Sequence, residues 1–342
     1  MTRPHDTHMA PHTALAHLSR RQALTALGAT LAAPWTAAAA ATPIAGGRPV
    51  TLVVSYPAGG GADLIARTIA PRLAEALGQN VVVDNKGGAS GQIAAAHVAR
   101  ATPDGTTLLL DASSFAVNPS LYPKLPYDTQ KAFDPLAVLA TFPNVLVCTP
   151  GFAAQHVKDV VQMAKAKPGH VAFASSGNGS AQHLAGVLFE GKAGVTLSHI
   201  PYRGGGPALN DVMAGQVPLF FANVASSLGH IQAGKLRALA VTSQVRARSL
   251  PNVPTMAEAG VSGYEVLEWN PLLAPAGLAA DVRHTLVKAI RKALADPEVL
   301  GRVRQLGGDV FADETQQTAG KFILAQQAQW AKVVRERSIS VG

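Results

Sequence analysis

From Val50 onward the chain alternates short apolar runs with longer stretches whose apolar residues recur every three or four positions. Thr51-Leu-Val-Val54 has no polar alternation and predicts a buried strand. Leu64, Ile65, Ile69, Leu73 and Leu77 then fall at helical spacing and predict a helix over Ala62–Leu77. Val81–Val83 predicts the next strand, Ile93–Arg100 a helix and Thr106–Leu110 a third strand. Continuous apolar strands separated by helices imply a parallel sheet covered on both faces. Near Phe133 the pattern changes to a long extended segment with an internal proline, Pro135–Pro150, and Tyr264–Pro275 repeats that character. Between them the alternation restarts: helix Val157–Ala166, strand Val171–Ala174, helix Ala181–Glu190, strand Thr196–Ile200, helix Pro207–Ala214, and strands Val217–Phe220 and Leu236–Val241. Helices follow at Asp281–Ala295, Pro297–Leu306 and Thr315–Arg337. The simplest fold is α/β with two lobes joined by two crossing strands. Residues 42–143 and 265–342 would form lobe 1, and residues 144–264 lobe 2.

Four strands break into glycine-rich turns that open helices. These are Pro57-Ala-Gly-Gly-Gly-Ala-Asp63, Asn85-Lys-Gly-Gly-Ala-Ser-Gly91, Ser175-Ser-Gly-Asn-Gly-Ser180 and Pro201-Tyr-Arg-Gly-Gly-Gly-Pro207. Glycine admits close backbone approach, and the first N–H groups of a helix lack intrahelical acceptors. The helix dipole adds positive potential there, so each turn can hold an anion without a charged side chain. Two turns come from each expected lobe. Ligands of open α/β sheets sit beyond the carboxyl ends of the strands, so the four turns predict one interlobe cleft that closes about a hinge.

Composition narrows the chemistry. Of 342 residues, 48% are apolar and 15% charged, which is a globular balance. The net charge is +8, with residues 1–41 contributing Arg3, Arg20, Arg21 and Asp6. No Lys/Arg run is interleaved with aromatics, so nucleic acid is not an expected partner. Cys148 is the single cysteine, which excludes an intrachain disulfide, and its apolar neighbours Val145, Leu146 and Val147 read as core. Ser19-Arg-Arg-Gln-Ala-Leu24, an apolar stretch and the alanine tract Ala37–Ala41 follow the order of an export signal, with a twin-arginine character. Ala23 and Thr25 depart from the twin-arginine pattern and leave the general secretory route open. Cleavage is expected near Ala41, giving a soluble periplasmic protein.

Catalytic signatures are missing. The sequence has no phosphate loop, no Gly-x-Ser-x-Gly elbow and no His-Glu-x-x-His, and no cluster with metal-ligand spacing, so neither metal nor cofactor is expected. Ser90, Ser176 and Ser180 lie in glycine turns, where hydroxyls cap helices or donate to ligands. His183 either packs or contacts ligand, and His199 reads as structural. Asp63 either caps the first helix or orders water near the ligand. Arg203 either grips a carboxylate bidentately or braces its loop. Trp269 fills core or walls the cleft.

Ser55-Tyr-Pro-Ala-Gly-Gly-Gly-Ala-Asp63 with Ala66-Arg67, the 85–91 turn, Ala174–Gly186, His199–Leu209, Gly234–Ser243 and Val253–Gly260 together resemble the Bug/TctC solute-binding proteins of tripartite tricarboxylate transporters. The resemblance runs from Val50 to Gly308. It implies a type II periplasmic binding fold, capture of a small carboxylate, and delivery to a two-component inner-membrane permease by a monomeric, non-enzymatic receptor. It implies that Tyr56, Ala58, Gly59, Gly60 and Asp63 hold a ligand carboxylate through amides and ordered water. In the second lobe it points to Ser175, Ser176, Gly177, Ser180, His183, Tyr202, Arg203 and Gly204. Gly88, Ala89 and Ser90 of the second turn, and Asn223, complete the candidate set. Ala222 stands where many relatives carry Asp, which bears on specificity. An exported hydrolase of small acids, or a sensor feeding a signalling partner, are the rival readings.

Overall fold

The computed structural model describes residues 43–311, 316–337 and 339–340. The expected export signal, its cleavage near Ala41, and Thr315 at the start of the last expected helix lie outside them.

Three parallel strands, β1 (Val50–Val54), β2 (Val81–Asn85) and β3 (Thr107–Leu110), form one end of the sheet. Helix α1 (Gly61–Leu77) follows β1, α2 (Gln92–Ala99) follows β2 and α3 (Ser114–Leu121) follows β3. Strand β4 (Phe133–Cys148) is 16 residues long and changes neighbours along its length. Phe133–Pro143 pairs antiparallel with β9 (Leu267–Pro275), whereas Asn144–Cys148 pairs with β7 (Leu219–Asn223) and β8 (Arg237–Val241). Strands β5 (Ala172–Ser175) and β6 (Ser198–Pro201) run parallel beyond β7, giving the order β2-β1-β3-β9-β4-β7-β5-β6. Short β10 (Asp309–Val310) pairs with β4. The sheet therefore has two parallel ends whose strands point their carboxyl ends at turns, joined through antiparallel β4 and β9.

Helices α4 (Val157–Ala166), α5 (Ala181–Ala193), α6 (Gly205–Met213) and α7 (Val224–Gln232) belong to the second half. Helices α8 (Ala280–Leu294), α9 (Pro297–Gln305) and α10 (Gln316–Glu336) return to the first. One core fills the first half: Ile65, Ile69 and Leu73 of α1 pack with Leu52 and Leu108 and with Leu286 and Ile290 of α8. Another lies between β7 and α6, around Phe220, Leu209 and Val212. A third joins Phe115, Val138, Leu146, Phe173, Phe221 and Trp269 from both halves. Trp269 is 1% exposed and packs edge-on against Phe322, so it is core. Cys148 is also fully buried, and burial raises its thiol pKa.

Candidate ligand site between opposed helix N-termini

The first turn is braced from within. The Asp63 carboxylate accepts from Gly59 N–H at 2.9 Å and from Arg67 Nε at 2.9 and 3.0 Å. Arg67 Nη2 donates on to Asn85 Oδ1, and Asn85 Nδ2 donates to Tyr56 O, tying this turn to the next strand end. Burial works to raise the Asp63 pKa, but Arg67 and the Gly59 amide outweigh it and hold the carboxyl below its ordinary value. The Gly59 amide is thus engaged. The Gly61, Ala62 and Asp63 amides, the first of α1, donate to no acceptor among the described residues.

In the second half, Ser180 caps α5 by accepting from His183 N–H, and His183 Nδ1 accepts from Gly179 N–H. His183 stacks on His199 with ring centroids 4.0 Å apart, and burial lowers their pKa values to about 4 and about 3. Ser175 Oγ lies 2.6 Å from His199 Nε2, accepts from Gly177 N–H and is fully buried. Ser175, Ser180 and His183 therefore shape the turn from behind. Tyr202 donates its hydroxyl to Asp211 at 2.6 Å. Arg203 is exposed and forms no ion pair with a described residue.

The turns of the two halves touch. Ser90 Oγ donates to Asn178 O at 2.5 Å, and Asn118 Nδ2 secures Ser90 O at 3.0 Å. Gly204, at φ 133°, lies against Pro57, where a Cβ would come within 2.7 Å of Pro57 Cδ. Ala58 O faces Gly206. Ala89 and Ser90 hold the left-handed backbone region at φ 46° and 52°, an unfavourable conformation for residues with a Cβ.

Two pockets share Tyr56 and Ser176. The outer, of about 220 Å³, is lined by Gly88, Ala89, Ser90, Gly177, Tyr202 and Arg203 among others. The inner, a nearly closed space of about 30 Å³, is lined by Gly60, Gly61 and Ala62 from one half and Gly205, Asn223 and Ser226 from the other. Gly205 and Gly206 open α6, and their amides also lack a described acceptor. Asn223 is 5% exposed; its Oδ1 caps Ala225 N–H, but its Nδ2 has no partner. Two helix N-termini and a buried unpartnered amide thus meet in one pocket, an arrangement of donors suited to an anion. A larger groove between α1 and α9 carries Arg67, Arg72 and Arg302 but has no such convergence of buried donors. Among the described residues no group of three or more His, Cys, Asp or Glu could hold a metal.

The sequence profile of the tripartite tricarboxylate transporter family receptor matches residues 65–339. The chain belongs to this receptor family. Its fold superimposes on the periplasmic binding protein BugD with a TM-score of 0.82 at 36% identity, covering 86% of this chain and 98% of that one. Rpa4515 of R. palustris with adipate gives a TM-score of 0.83 at 35% identity over 86% and 98% of the two chains. MatC from Rhodopseudomonas palustris with bound malate gives 0.80 at 30% identity over 84% and 99%. The fold is accordingly that of a two-lobed periplasmic binding protein.

Within this receptor fold the inner pocket has a polar wall that none of the glycine turns announces. Glu268 of β9 is 5% exposed and lines the pocket beside Gln182 of α5. Ser113 N–H and Oγ donate to Glu268 Oε1 at 3.1 and 3.2 Å, and Gln182 Nε2 donates to Oε2 at 3.0 Å. Gln182 Nε2 also reaches Asn144 Oδ1, so the network links β9, α5 and β4 where the chain passes between halves. Asp111 lies behind, accepting from Ser55 Oγ at 2.5 Å and Ala112 N–H at 2.7 Å. Burial raises the pKa of Glu268, and burial raises that of Asp111 to about 7 with Glu268 contributing. Tyr56 donates to Ser114 Oγ, and burial foremost, then Glu268 and Asp111, push its pKa up.

Proposed function

We propose that this receptor-family chain is an exported periplasmic protein that captures a small organic carboxylate between its lobes. It delivers that solute to a two-component tripartite-type permease in the inner membrane, and it does no chemistry on it. The observation that carries this reading is the meeting of the α1 and α6 N-termini with the unpartnered Asn223 Nδ2 in one pocket. Adipate in Rpa4515 and malate in MatC support the ligand class. We place the lobe boundaries at 143/144 and 264/265, beside the point where β4 changes partners. Closure brings Gly61 and Ala62 against Gly205 and Asn223, while Arg203 sits at the mouth of the outer pocket. The carboxylate is held by main-chain donors, directly or through water.

The Ser175–His199 contact does not favour a hydrolase, because Ser175 is fully buried and its Oγ lies within the turn instead of the pocket. Thermal-shift screening against mono-, di- and tricarboxylates, paired with mass spectrometry of small molecules carried through native purification, tests the proposal. At a ligand concentration 100 times Kd the expected stabilisation is about 2.7 kcal/mol. Absence of any carboxylate that stabilises the protein, or turnover of one that does, would refute it.

A further inference from the structure

The inner pocket holds opposed electrostatics. Helix N-termini and Asn223 Nδ2 supply positive potential at one side, and Glu268 supplies a buried carboxylate at the other. A carboxylate that lines an anion pocket with no counter-charge would repel the guest, so the two features need a common explanation. Glu268 forms no ion pair with any described Lys, Arg or His. The groups around it are Ser113 before α3, Gln182 on α5, Tyr56 in the first turn and Asp111 at the end of β3, none of them cationic.

The hydrogen bonds favour the ionised form. Ser113 N–H and Gln182 Nε2 can only donate, and they engage opposite oxygens of the carboxylate. Gln182 Nε2 donates its other hydrogen to Asn144 Oδ1. With Ser113 Oγ, three of about four acceptor positions are filled from the protein. One acceptor position remains for whatever occupies the pocket, and the ionised carboxylate has no cationic partner among the described residues.

We propose that Glu268 receives the ammonium group of the bound solute, so that the preferred ligand is an amino-substituted carboxylic acid instead of a plain one. This rests on the carboxylate reading above: the carboxylate lies at the α1 and α6 N-termini and the ammonium at Glu268, each end of a zwitterion meeting its complement. Burial raises the Glu268 pKa, and an ammonium partner opposes that shift.

Matched acids test this without requiring the natural ligand: alanine and propionate, aspartate and succinate, glutamate and glutarate, 2-aminoadipate and adipate. Isothermal titration of the wild-type protein should give at least one amino acid bound about tenfold or more tighter than its unsubstituted partner, a ratio of order 1.4 kcal/mol. In Glu268→Gln that ratio should fall to about one or invert. Circular dichroism melting of the variant verifies folding, and the wild-type ratio stands independently of it. A plain acid bound as tightly as its amino partner in every pair, or an unchanged ratio in a folded Glu268→Gln, would overturn the inference while leaving the carboxylate reading intact. If neither kind of acid binds, the carboxylate reading falls and takes this inference with it.

Discussion

Gly61 offers a test in which stability and binding move in opposite directions. It is the first residue of α1 and lines the inner pocket, and a Cβ built on it would lie 2.9 Å from both Cγ and Nδ2 of Asn223 and 3.1 Å from Oδ1. The two 2.9 Å distances are closer than real Cβ atoms essentially ever come, and the third is tighter than most. Asn223 cannot swing aside freely, because its Oδ1 caps α7 through Ala225 N–H at 2.8 Å; losing such a cap costs about 1 kcal/mol. Overpacking at a fixed contact costs about 1–3 kcal/mol. In Gly61→Ala the halves are therefore held apart at the pocket, and affinity for the best-binding acid should fall about 5- to 150-fold. Meanwhile alanine is the better helix former by up to about 1 kcal/mol, and the lobe opening proposed above would carry the added methyl away from Asn223. The ligand-free melting temperature should hold or rise while the titrated Kd weakens. Unchanged affinity would refute the reasoning, since it would mean that Gly61 and Asn223 do not meet when ligand is bound. Loss of both stability and affinity would also refute it, by placing the clash within the fold itself.

Arg203→Ala should weaken carboxylate binding by about 1.5–3 kcal/mol with no change in ligand-free melting, because the guanidinium is exposed at the pocket mouth; intact affinity in calorimetry would return it to a loop-bracing role. Asp63→Ala leaves the Gly59 amide and Arg67 without their acceptor and should cost about 1–3 kcal/mol in urea unfolding, whereas an unchanged midpoint would show that the turn is held by other contacts. Asp111 has its pKa raised by burial to about 7 against an ordinary 3.8, so the folded state binds the extra proton between those values. Its contribution is full below about pH 4 and is lost as pH rises through 7. Asp111→Asn should therefore gain stability relative to wild type on going from pH 4 to pH 8, on the order of a few kcal/mol, and a pH-independent difference in melting temperature would contradict the shift.

The strand–turn–helix rhythm was legible because continuous apolar strands and helical spacing are local signals. Helix Val157–Ala166 begins and ends where its pattern does, and Gly61–Leu77 differs from expectation by one residue. Helix α3 escaped because Ser114–Leu121 is buried on nearly every side and contains Pro119, so it presents no polar stripe. The glycine turns were legible as anion-suited ends, but which amides remain free was not: Gly59 is engaged by Asp63, and Gly61 and Ala62 are open. Glu268 was illegible for a different reason. It resembles a solvated charge beside Glu265, and its partners Ser113 and Gln182 lie 155 and 86 residues away. Only the fold brings them together, and only that contact turns an ordinary glutamate into a pocket wall.

The most direct test is a crystal structure of the protein grown with its tightest-binding acid. The account predicts a ligand carboxylate in the inner pocket, about 3 Å from the amides of Gly61, Ala62 or Gly205 or one water removed from them. A carboxylate bound elsewhere, with those amides facing bulk solvent, would contradict it.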